Sequence, residues 1–65
     1  MKDREAQVVA YVVAGLTNKM IAYHLGVSTS RVSGLLRPAM RKLNVRTRVS
    51  LIRMFREMPS IDPND

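Results

Sequence analysis

Cysteine is absent from this 65-residue chain, so disulfides, thiolate metal sites and cysteine nucleophiles are excluded. Tryptophan is absent too, and one Phe, two Tyr and no alternating apolar runs speak against a sheet. A single His and five carboxylates leave little for metal binding or acid–base work. There is no nucleophile–base pair, no metal-ligand spacing and no glycine loop fit to cradle phosphate, so neither an enzyme nor a cofactor is expected. No apolar run approaches the ~20 residues of a membrane span, and no signal-peptide pattern opens the sequence. A cytoplasmic protein without a membrane partner is expected. At this length it is one small domain, able to bury only about 60% of its unfolded surface.

Negative charge is missing from the middle. The carboxylates are Asp3, Glu5, Glu57, Asp62 and Asp65, and residues 6–56 carry none. That stretch instead carries Lys19, Arg31, Arg37, Arg41, Lys42, Arg46, Arg48, Arg53 and Arg56, within a net charge of +6. A surface selected for solubility alone would mix both signs. A cationic stretch cleared of acids suits a polyanion, because each cation near a phosphate releases condensed counterions.

Periodicity is helical throughout and predicts an all-α, four-helix domain over residues 1–58, with a flexible acidic tail over 59–65. The first helix, about 4–14, has Val9, Val12, Val13 and Leu16 at i, i+3, i+4, i+7, widened by Val8 and Tyr11, and closes at Gly15. Asp3 and Glu5 suit its N-terminus. The second, 18–25, can be capped by Asn18 and ended by Gly26, with Ile21, Ala22 and Leu25 facing inward. Ser28 or Thr29 can cap the third, about 29–43, whose apolar positions are Val32, Leu35, Leu36, Ala39, Met40 and Leu43, with Asn44 as a left-handed stop. Thr47 can cap the fourth, about 48–57, with Leu51, Ile52, Phe55 and Met58 inward.

The segment NKMIAYHLGVSTSRVSGLL has the layout of a helix-turn-helix. Steeply crossing helices need a small residue at the crossing, and Ala22 supplies it. Gly26 can take positive φ in the turn. Val27 and Val32 plug the angle, and Ile21, Leu25 and Leu35 complete the core. The second helix of such a unit enters the major groove, which is ~12 Å wide. Its outward positions are Ser30, Arg31, Ser33, Gly34, Arg37 and Arg41. Arg37 is the strongest base-reading candidate, since arginine pairs bidentately with guanine; Arg31 and Ser33 could touch base or phosphate. Thr17, Asn18, Lys19, Ser28, Ser30, Arg41, Lys42, Arg46 and Arg48 are phosphate candidates. His24 lies on the outer side of the second helix and reads as a plain surface residue.

The same residues resemble the LuxR/NarL-type (GerE-like) DNA-binding domain of bacterial transcriptional regulators. The likeness runs from residue 4 to about 56. It is carried by Arg4-Glu5, by G-L-T-N-K-x-I-A-x-x-L-x-V-S over 15–28, by Val32, and by K-L-N-V-R-T-R over 42–48. The resemblance implies a four-helix output domain of a response regulator or ligand-sensing regulator. It further implies a dimer, paired through the fourth helix on an inverted repeat, with base contacts at Ser33, Gly34 and Arg37. RNA polymerase is a further partner to be expected of such a regulator, and the bacterial nucleoid its place. The sequence departs from the family where Arg31 replaces Thr, Ser33 replaces Lys, Leu35 replaces His, and Met1-Lys2 replace Leu-Thr, leaving the first helix without its usual cap.

Pro38 falls inside the recognition helix. Proline removes a backbone donor and presses on the carbonyl four residues back, at ~3 kcal/mol in a helix interior. That residue is Gly34, so a kink or break near 34–38 is expected, with Pro38 opening a new segment. On the fourth helix Val49 falls among Ser50, Arg53 and Arg56, which makes Val49 and Arg53 dimer-contact candidates. Two other readings stay open: a sigma-factor region-4-like promoter-binding domain, and a basic helical module docking an acidic partner. The segment KLNVRTRVSLIRMF speaks against the first, which would not normally continue into a fourth helix.

Overall fold

A computed structural model describes residues 3–57 as four helices: α1 (Asp3–Val13), α2 (Asn18–Leu25), α3 (Thr29–Lys42) and α4 (Arg48–Glu57), with no strand among the described residues. The expected ends agree to within one residue. The missing cap at Met1-Lys2, the inward Met58 and the 59–65 tail lie outside the described residues.

Three helices stop by one device. Gly15 (φ 96°), Gly26 (φ 68°) and Asn44 (φ 58°) adopt left-handed conformations. In each case the next amide reaches back five residues: Leu16 N–H to the Tyr11 carbonyl, Val27 N–H to Ala22 and Val45 N–H to Met40, all at 3.0 Å. This closes orphan carbonyls and turns the chain inward, so that Leu16, Val27 and Val45 pack on the core. The starts are capped by hydroxyls. Thr17 Oγ1 accepts from Met20 N–H at 3.2 Å, Ser28 Oγ from Arg31 N–H at 3.0 Å and Thr47 Oγ1 from Ser50 N–H at 3.0 Å. Asn18, expected to cap α2, is instead its first helical residue, because its side chain is held elsewhere by α3 and α4.

The core is Val8, Val9 and Val12 from α1, Ile21 and Ala22 from α2, Val32, Leu36 and Ala39 from α3, and Leu51 from α4. Burying the valine, leucine and isoleucine side chains among these contributes about 1.5–3 kcal/mol each. Ala22 is buried, as a helix crossing requires. The stripe of α1 differs from expectation. It is centred on Glu5, Val8, Val9 and Val12, while Val13 and Leu16 are half-buried.

The break expected near Pro38, with a new segment opening there, does not occur: α3 is one helix from Thr29 to Lys42 with Pro38 inside it. Val32 and Leu36 before the proline, and Ala39 after it, are buried on one stripe, so packing holds both sides in register. The carbonyl of Gly34, which loses its helical donor to the proline, belongs to an exposed residue open to water.

Candidate nucleic-acid interface

The face of α3 opposite its buried stripe presents Ser30, Arg31, Gly34, Arg37 and Arg41 to solvent. Both expected base-reading arginines therefore point outward. Ser33 sits at the margin of that face, half-buried. Gly34 leaves a flat place in its middle: a Cβ there would meet nothing within 4 Å, and no positive φ demands glycine. Packing does not require this glycine, yet it costs a helix about 0.5–1 kcal/mol relative to alanine. The missing side chain leaves open space over α3 between Ser30 and Arg37.

Arg46 comes to the same side from the α3–α4 connection. With Arg37, Met40, Arg41 and Val45 it lines an open cleft of about 290 Å³. Three arginines thus share one cleft with Met40 and Val45. The sequence marks the arginines but not their convergence, which depends on the turn at Asn44. Lys19 is exposed on the first turn of α2. Thr17 and Ser28 cap α2 and α3 through their oxygens, and each keeps its own hydroxyl proton to give.

Other expected contacts are bound within the fold. Arg48 Nη1 donates to Asn18 Oδ1 at 2.7 Å, and Nη2 to the Leu16 carbonyl at 2.6 Å. Asn18 Nδ2 donates to Ser33 Oγ over a longer 3.4 Å. Lys42 Nζ donates to Glu5 Oε1 at 2.9 Å, and Glu5 is buried rather than solvated at the start of its helix. No sequence signal links Glu5 to Lys42, 37 positions apart. Every buried side-chain nitrogen and oxygen among the described residues has a partner.

Away from this face, His24 is exposed and stacks on Tyr11, with ring centroids 5.7 Å apart, while Tyr23 meets it edge-on at 6.0 Å. On α4, Val49 is 64% exposed. It lines a groove of about 350 Å³ with Ile52, Arg53, Arg56 and Glu57. No cluster of three or more His, Cys, Asp or Glu able to hold a metal occurs among the described residues. No helix there is long and apolar enough to cross a membrane.

The family description "Bacterial regulatory proteins, luxR family" matches residues 2–55. The chain is also 40% identical over 57 residues to a protein of Haemophilus influenzae named nitrate/nitrite response regulator protein homolog. That match takes in 88% of the chain and 27% of the relative, so the chain spans little more than a quarter of its length. No solved structure matches the chain.

Proposed function

The chain belongs to the luxR family of bacterial regulatory proteins, DNA-binding regulators of transcription, and we propose that it reads double-stranded DNA sequence with α3 in the major groove. The observation that carries this reading is the outer face of α3, where Arg31, Gly34 and Arg37 stand together in a stretch without a carboxylate. Arg37 and Arg31 pair with base edges, Ser33 adds a hydroxyl, and Gly34 lets the duplex come close. Thr17, Lys19, Ser28, Ser30, Arg41 and Arg46 hold phosphates on either side and set the register.

The chain acts as the output domain of a response regulator, a reading supported by the name of its Haemophilus relative. It works as a dimer on an inverted repeat, paired through the α4 groove of Val49 and Arg53, in the cytoplasm at the nucleoid. RNA polymerase is the next partner in such a role.

Selection from a duplex pool with a randomised centre, followed by footprinting of the enriched sites, tests this. The expected result is paired half-sites about one helical turn apart. A protein making ~6–10 phosphate contacts loses roughly 10³–10⁵ in affinity between about 50 and 200 mM salt, and a chain that binds no duplex even at about 50 mM would favour the acidic-partner alternative.

A further inference from the structure

We infer that Arg48 and Asn18 are positioning residues that set the hydrogen-bonding sense of Ser33 on the recognition helix. This replaces the phosphate contacts expected of them from sequence, and it rests on α3 being the base-reading helix.

The geometry has a direction. A guanidinium only donates, so the atom of the Asn18 amide facing Arg48 must be its oxygen, as the 2.7 Å contact has it. The amide nitrogen must then face Ser33 and donate to Ser33 Oγ. Arg48 is itself anchored, because its second arm holds the Leu16 carbonyl at the α1–α2 corner. The first residue of α4, the first residue of α2 and the margin of α3 are thereby joined in one relay.

The consequence falls on Ser33. One of the two lone pairs of its hydroxyl is occupied from inside, so outward it keeps its proton and a single lone pair, and the balance tips toward donation. A serine presented this way favours base edges that accept in the major groove, namely purine N7, guanine O6 or thymine O4, over the amino groups of cytosine and adenine. Arg48 would thus influence base choice without touching DNA.

The test compares the wild-type chain with Ser33→Ala, Asn18→Asp and Arg48→Met, each first melted by circular dichroism to establish folding. Each is then used to select from the randomised duplex pool, and titrated on a random-sequence duplex between about 50 and 200 mM salt. Ser33→Ala identifies the base pair that Ser33 reads, with preference there falling about fivefold, the size of one net hydrogen bond. Arg48→Met is expected to lose preference at that same pair while keeping the wild-type salt slope. Asn18→Asp keeps its bond to Arg48 but accepts from both sides, drawing the serine proton inward, so preference at that pair shifts toward donor edges.

A salt slope that falls by about 0.9 in Arg48→Met marks a phosphate contact and overturns the relay. Unchanged preference at the Ser33 pair in the folded variants overturns it as well. If Arg48→Met does not fold, Asn18→Asp, which retains the Arg48 bond, decides alone. A wild-type chain that enriches no sequence removes the base-reading role of α3 and the relay with it. A wild type that enriches sites while the variants leave the Ser33 pair untouched removes the relay only.

Discussion

Lys42, in the last turn of α3, donates to Glu5, in the first turn of α1, at 2.9 Å, tying the end of α3 to the start of the fold. The Glu5 side chain is 8% exposed and that of Lys42 48%. Taking the charged donor from a buried carboxylate is costly, but the half-exposed lysine tempers the effect. Lys42→Met is therefore expected to lower unfolding stability by about 1–2 kcal/mol, read as a shift in urea midpoint. A midpoint equal to the wild type contradicts this role.

Gly34 has neither a packing reason nor a backbone reason to be glycine. Gly34→Ala is expected to stabilise the domain by about 0.5–1 kcal/mol while weakening binding to its selected site. Thermal melts and a binding titration measured together check the opposite signs. A variant that gains both stability and affinity shows that the flat place on α3 is not a contact surface.

Pro38 interrupts no element but still withholds one helical donor. Pro38→Ala restores an amide facing the Gly34 carbonyl and is expected to raise stability by about 1–3 kcal/mol. Denaturant unfolding at matched conditions measures it. Loss of stability would mean that the half-buried ring contributes more by packing than the missing bond costs.

Arg37 and Arg46 line one cleft but are assigned different work. Arg37→Ala is expected to relax preference at one base pair by about 1–3 kcal/mol. Arg46→Ala is expected to weaken all sequences alike and to lower the salt slope by about 0.9. Selection profiles and salt titrations separate the two, and identical behaviour of both variants argues against the division.

Val49 offers an apolar surface on an otherwise polar side of α4, beside an Arg53–Glu57 pair that is long at 4.0 Å and largely exposed. Such a pair adds little stability. Val49→Asp is expected to leave the monomer folded and to abolish paired half-sites while single half-sites persist. Sedimentation with and without selected duplex checks this.

The sequence by itself determined the helices, their ends and the basic outer face. Gly15, Gly26 and Asn44 stop the chain where local backbone chemistry says they should, and Ser28 and Thr47 cap where a hydroxyl is needed. These are short-range effects, complete within a turn of helix. The family likeness over residues 2–55 rests on the same local pattern. What only the tertiary structure decided is which polar groups find partners within the fold. Asn18, Lys42 and Arg48 are phosphate candidates in the sequence, and nothing there shows the partners within the fold that each of them also holds. Folding brings Glu5 across 37 positions to Lys42, and Arg48 across 30 to Asn18. Pro38 is the same lesson inverted: a residue that breaks an isolated helix stays within one whose flanking Leu36 and Ala39 are held by the core. Local propensity is settled along the chain, whereas burial and partnership depend on distances that exist only once α2, α3 and α4 have packed around α1 and one another.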